Sequence, residues 1–235
     1  MRRASTSAIA ATAIALLLAG PVTPATSAGP EPCTTYEFIG ARGSGQDPKE
    51  TMLESEYRDL ADDGMGRELY AVYQGVEEAV LADGQTITPH GLRYPAPGVA
   101  GGTDLINGLR AAVSWGKDGA YGDSIAIGSA VLRARIEYRA AQCPDMTFVV
   151  TGYSQGAHAG GDGLAALPER LQRRVVAAAW FGDPSFNPYD AADLSSYDDE
   201  HHGAMGPGTS GTGCRPRSAR RPTATSRTRS ATSAR

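Results

Sequence analysis

A chain of 235 residues that is 41% hydrophobic and 20% charged has enough apolar material for one domain with its own core, and this mixture excludes both a disordered protein and a polytopic membrane protein. The net charge of −4 conceals an uneven distribution: 15 basic and 26 acidic residues up to Glu200, then seven arginines and no acid from His201 to Arg235. The two parts differ in kind.

Met1-Arg2-Arg3, the apolar stretch Ala8 to Ala19 and the small residues Ala25-Thr26-Ser27-Ala28 read as a secretory signal peptide over residues 1–28. Pro21 and Pro24 interrupt the stretch before the roughly 20 apolar residues that a spanning helix needs. A secreted, extracellular protein without stable membrane insertion is expected. Thr34 to Ala41 is a short apolar and β-branched run ending at Arg42-Gly43-Ser44-Gly45, which predicts a buried strand entering a tight loop. Leu69, Val72, Tyr73, Val76, Val80 and Leu81 recur at helical spacing, so Gly66 to Ala82 is a predicted amphipathic helix, closed by Asp83-Gly84. Thr86 to Tyr94 predicts a second strand, Asp104 to Trp115 a short helix, and Asp123 to Ala141 a longer one stopped by Cys143-Pro144-Asp145. Met146 to Thr151 predicts a strand, Gln155 to Leu167 a helix, and Val175 to Phe181 a strand terminated by Gly182-Asp183-Pro184. Strands alternating with helices imply an α/β three-layer sandwich with a central, mainly parallel sheet. The globular domain is expected over residues 29–190. Residues 191–235, poor in large aliphatic side chains and rich in Arg, Ser, Thr, Pro and Gly, are expected to be a disordered tail.

An exported chain can keep a disulfide, and three cysteines, Cys33, Cys143 and Cys214, allow three pairings. Cys33–Cys143 is preferred, because it ties the entry ends of two strands expected to be neighbours. Cys214 is then left over.

Gly152-Tyr153-Ser154-Gln155-Gly156, directly behind an apolar strand and ahead of a helical pattern, has the form of a nucleophile elbow. A serine lifted onto a sharp strand-to-helix turn needs small residues two before and two after it, so that strand and helix can approach. The pentapeptide alone is weak, since a chain with 29 glycines matches it by chance about once in four such sequences. Its context strengthens it. Ser154 Oγ would attack an acyl carbon, the Gln155 N–H at a helix start would meet the developing oxyanion, and the loop at Ser44 would supply a second donor.

The sequence ARGSG after the first strand, Cys-Pro ahead of the elbow strand, GYSQGA at the elbow and FGDP after the next strand together resemble the cutinase family of secreted serine esterases, from about Cys33 to Pro184. The resemblance implies a small lidless α/β-hydrolase acting on esters, without cofactor or metal. It implies Ser154 as nucleophile, Ser44 and Gln155 as oxyanion-hole residues, with the Ser44 hydroxyl assisting, and Cys33–Cys143 as a disulfide. The family's triad aspartate stands in a short disulfide-closed loop after the GDP strand, with the histidine beyond it. Here no such Cys-flanked aspartate and no histidine beyond His202 is found, so the triad Asp and His are unassigned. His201 and His202 follow a solvated acidic turn, His158 lies one helical turn past Ser154, His90 reads as a strand-end residue and Asp183 as a turn residue. Neither the Pro95 to Gly102 loop nor the histidines with Cys214 has the spacing of a phosphate cradle or a zinc site. No nucleic-acid partner is expected.

The expected function is therefore a secreted carboxylic ester hydrolase with a serine nucleophile, impaired as the sequence stands, acting on a lipid-like, polyester or acylated-polysaccharide ester. A monomer is expected. An acetylxylan or lipid esterase on the same fold, or an inactive hydrolase-fold protein whose basic tail binds an anionic surface, are the alternatives. The charge reversal, the odd cysteine and the missing triad partners all fall after about His202, as a change of reading frame there would produce.

Overall fold

The computed structural model describes residues 31–46, 48, 54–58, 60–98, 119–188 and 201–205. The signal peptide expected over residues 1–28, the helix expected over Asp104–Trp115 and the chain beyond residue 205 lie outside them. The chain divides into two units between Pro32 and Cys33, and all the elements below belong to the second.

Four strands form one sheet: β1 (Tyr36–Ala41), β2 (Ile87–Gly91), β3 (Thr147–Tyr153) and β4 (Val175–Phe181). Their order is β2-β1-β3-β4 and every pairing is parallel. The helices are α1 (Glu54–Arg58), α2 (Arg67–Ala82), α3 (Ala120–Gln142), α4 (Gln155–Ala165) and α5 (Glu169–Gln172). Burial on both faces explains why the central strands read as continuous apolar runs. Ile39, Phe148 and Val150 face Leu132 and Ile136 of α3 and Leu164 of α4. Phe38 and Val149 point the other way, against Leu69 and Tyr73 of α2. The three-layer sandwich follows from that alternation. Among the described residues no helix is long and apolar enough to cross a membrane.

Several boundaries differ from the sequence reading. β1 starts at Tyr36, because Thr34 turns its hydroxyl onto the Tyr36 carbonyl at 2.7 Å and Thr35 N–H bonds the Thr86 hydroxyl. β2 stops at Gly91, since the carbonyls of Leu92 and Tyr94 are taken by the Arg42 guanidinium instead of a strand. β3 continues to Tyr153. α3 begins three residues earlier than its hydropathy pattern, and α4 ends at Ala165, leaving Leu167 to turn into the core.

Cys33 and Cys143 are disulfide-bonded, with Cα atoms 5.6 Å apart. The bridge joins the residues that precede β1 and β3, which are adjacent in the sheet. Nearby, Glu37 of β1 is fully buried and meets Arg135 Nε at 2.6 Å and Arg139 Nε at 2.7 Å. Burying a carboxylate is costly unless it is paired, and both partners come from α3.

Candidate functional site

The strand order sets the location. From β1 the chain steps outward to β2, then returns across β1 to β3 and continues outward to β4. The connections leaving β1 and β3 therefore diverge, opening a crevice beyond their carboxyl ends, where ligands bind in open α/β sheets. Ser44 follows β1 and Ser154 follows β3, so both motif serines belong to this crevice.

Ser154 has φ 50° and ψ −116°, a conformation that costs a non-glycine residue about 1–3 kcal/mol. The surrounding contacts hold it there. Its N–H donates to Phe181 O at 2.8 Å, which latches the turn to β4, and its carbonyl accepts the Ala157 N–H at 2.9 Å, which starts α4. The flanking glycines are required by approach distance. A Cβ on Gly156 would lie 1.9 Å from Ala41 O, and one on Gly152 would lie 2.4 Å from Gly156 O. Helix α4 thus presses on the ends of both β1 and β3.

Across the crevice, Ser44 Oγ–H donates to Gln155 Oε1 at 2.9 Å. The structure thereby brings together Ser44, Ser154 and Gln155. Ser44 N–H lies inside the Gly43–Gln46 turn and Gln155 N–H in the first turn of α4, positions where regular structure leaves an N–H unbonded. Gln155 is fully buried, and its Nε2 has no partner among the described residues.

Sequence reading passed over what anchors this loop. Arg42 is fully buried. Its Nε donates to Gln46 O at 3.0 Å and its Nη1 to Leu92 O at 2.9 Å, while Nη2 reaches the carbonyls of Tyr94 and Pro95. The guanidinium lies over the rings of Tyr94 and Tyr57, 5.0 and 5.9 Å from their centroids. One side chain therefore clamps the loop after β1 to the loop after β2. Within the loop after β1, Gln46 Oε1 accepts the Gly43 N–H at 2.6 Å. The arginine of ARGSG was the available signal, but three of its four carbonyl partners, on Leu92, Tyr94 and Pro95, lie some fifty residues away.

The histidines are dispersed. His158 follows Ser154 by one turn of α4, with Nε2 3.7 Å from Asp162 Oδ2 and its ring centroid 6.2 Å from that of Tyr121. The imidazole of His90 on β2 is withdrawn from water, and together with the charges of Arg135, Arg58 and Arg139 this holds it well below the usual histidine range. Asp183 is a turn residue: its Oδ1 accepts both the N–H and the hydroxyl of Ser185, each at 2.8 Å. Residues 201–205, which the sequence reading assigned to the tail, run alongside this turn. Gly203 N–H donates to Phe186 O at 2.9 Å and Met205 N–H to Pro184 O at 2.8 Å. Met205 packs against Tyr121, Ile125 and Ala159. His202 Nδ1 lies 2.8 Å from Gly203 O. Among the described residues no group of three or more metal-ligating side chains is found.

Among solved structures, the chain is similar to an acetylxylan esterase at 22% identity, over 69% of this chain and 70% of that one, with a TM-score of 0.50. It is also similar to the catalytic core domain of an acetyl xylan esterase from Trichoderma reesei, at 21% identity over 68% and 70% with a TM-score of 0.44. A cutinase-like protein from Cryptococcus sp. matches at 19% identity over 69% and 60% with a TM-score of 0.45. At 22% identity the first of these likenesses speaks to the fold alone. No curated protein matches this chain. The model of the cutinase family matches residues 32–205, a span containing the whole sheet, the crevice and the docked 201–205 segment, and the chain accordingly belongs to the cutinase family of carboxylic ester hydrolases.

Proposed function

We propose that this chain is a secreted serine esterase that forms its acyl-enzyme on Ser154. The observation that carries the reading is the strained Ser154 at the β3–α4 turn, with Ser44 hydrogen-bonded to Gln155 beside it. Ser154 Oγ attacks the ester carbonyl carbon and its proton passes to a water molecule, no histidine being assigned to receive it. The carbonyl oxygen becomes an oxyanion that accepts the N–H groups of Ser44 and Gln155. Collapse breaks the bond to the ester oxygen, which takes a proton from water and leaves as the alcohol; a second water then adds to the acyl carbon, releasing the acid and returning a proton to Ser154 Oγ. The substrate class is a lipid-like, polyester or acylated-polysaccharide ester. Export through the signal peptide over residues 1–28 accords with the Cys33–Cys143 bridge.

The same reading makes the polypeptide an impaired esterase. No Cys-flanked aspartate with a histidine beyond it follows β4, His158 is held beside Asp162 and His202 beside Gly203 O. Losing the triad histidine lowers kcat by orders of magnitude even where oxyanion donors survive. The family match ends at residue 205, close to where the composition turns to arginine and small residues, which accords with a change of reading frame. Translating the two other frames of the gene downstream of His202 tests that point, with recovery of a Cys-flanked aspartate followed by histidine as the expected outcome.

Short-chain p-nitrophenyl esters test the rest. The purified chain is expected to turn them over near the background rate. It should react slowly with an alkyl p-nitrophenyl phosphonate to give one adduct, located on Ser154 by mass spectrometry and absent in Ser154→Ala. Rapid turnover abolished by Ser154→Ala would overturn the impairment. An adduct that persists in that variant would overturn the nucleophile.

A further inference from the structure

The two edges of the sheet differ in protection. β2, at one edge, is five residues long and contains Pro89, which lacks a donor N–H and so discourages further pairing. β4, at the other edge, reads Val-Val-Ala-Ala-Ala-Trp-Phe over Val175–Phe181. It carries no charge, no proline and no glycine in seven residues, the composition of a segment that pairs with other strands. Among the described residues its outer edge pairs with no strand. Its side chains are uncovered too: Val176 is 44% and Phe181 40% exposed, and Ala177 and Ala178 are exposed. The register puts Ala177, Ala179 and Phe181 opposite Val149, Thr151 and Tyr153. They therefore continue the face that α2 covers over the inner strands.

The longer stretches outside the described residues that follow or interrupt the sheet carry no strand pattern in their sequence. Residues 189–200 are mostly Asp, Ala, Ser and Tyr, residues 206–235 are Gly, Pro, Ser, Thr, Ala and Arg with one Cys, and 104–115 carries a helical pattern. The identical strand of a second copy does suit the β4 edge. Charge chooses the direction. β4 is preceded by Arg173 and Arg174 and followed, after Gly182, by Asp183. A parallel pairing would set Arg173 against Arg173, whereas an antiparallel pairing about Ala178 sets Arg173, 62% exposed and paired in its own chain with Glu169 at 2.6 Å, opposite Asp183 of the partner subunit, whose counterpart here accepts from Ser185 through Oδ1. That register also places Val175 against Phe181 and Val176 against Trp180 at the ends, with alanines at the centre. Such a contact is isologous and closes at two copies.

We propose that this protein self-associates through antiparallel pairing of β4 with β4 of a second copy, giving a twofold dimer with a continuous eight-stranded sheet. The proposal rests on the sheet and is independent of any reading of Ser154. Sedimentation velocity on the secreted full chain is expected to give a concentration-dependent monomer–dimer equilibrium. Val176→Lys, at an exposed position where lysine blocks an edge, is expected to weaken the dimer at least about tenfold with unchanged circular dichroism. A monomer at every concentration, or a Val176→Lys variant that dimerises as well as the parent, would overturn the proposal. Residues facing each other across an antiparallel pair have Cα atoms about 4.5–5.5 Å apart, within disulfide range. Ala178→Cys in a Cys214→Ser background is therefore expected to oxidise to a covalent dimer and no further. Failure to cross-link, or a ladder of higher species, would overturn the antiparallel register.

Discussion

His90 stands on β2 opposite Ile39 of β1, and its environment makes it a pH-sensitive element of stability. Its lowered pKa has burial as the first cause and three arginine charges behind it. The sign follows from linkage: the unfolded chain takes up a proton near the ordinary histidine value of about 6.5 while the folded chain resists it. The contribution is thus fully present above about pH 6.5 and is lost as the pH falls from there toward the folded value. Thermal melts from pH 7.5 down to 5 are expected to show Tm falling more steeply in the parent chain than in His90→Gln, and equal slopes would refute this. Composition hinted at none of it, because Arg58, Arg135 and Arg139 approach His90 only through the packing of helices on the sheet. Arg42 is a parallel case: its charge was visible in ARGSG, but the carbonyls of Leu92 and Tyr94 that receive it come from a different loop.

Helix α4 and its two flanking strands form the element that sets the geometry of Ser154. The contact at Gly156 is the tightest of these, with the Ala41 and Arg42 carbonyls 1.9 and 2.6 Å from where a Cβ would lie. Backbone cannot yield as a flexible side chain can, so Gly156→Ala has to push α4 away from β1. The expected cost is about 3 kcal/mol, or a fall in Tm of roughly 6–12 °C for a domain of this size. The Ser44–Gln155 hydrogen bond should also be lost, read as slower phosphonate labelling of Ser154. A Gly156→Ala variant that melts with the parent would show that helix and strand are less closely packed. The strand, turn and helix around Ser154 were legible in sequence because they are local and contiguous. Their partner loop was legible as a motif, and the distance between the two was not.

At the level of the whole molecule, the Cys33–Cys143 bridge closes a separation of 110 residues that spans β1, α1, α2, β2 and α3. Constraining so long a loop stabilises the fold by about 2–5 kcal/mol. The double variant Cys33→Ala, Cys143→Ala is expected to unfold at correspondingly lower denaturant, and an unchanged midpoint would refute that. The alternation of four strands with α2, α3 and α4, and the parallel sheet, were legible in the sequence because each rests on periodicity, whereas α1 and α5, five and four residues long, carry too short a pattern to read. Residues 201–205 show the limit of such reading. Their composition placed them in the tail, yet two backbone hydrogen bonds and Met205 tie them to the Asp183 turn and to α3 and α4. Likewise Glu37 is held in a buried strand by Arg135 and Arg139, which reach it from α3, a hundred residues on. Which edge of the sheet is blunted by proline and which lies open was also decided only in three dimensions. Strand order depends on the crossover between β2 and β3, and no local pattern encodes where a strand will stand among its neighbours.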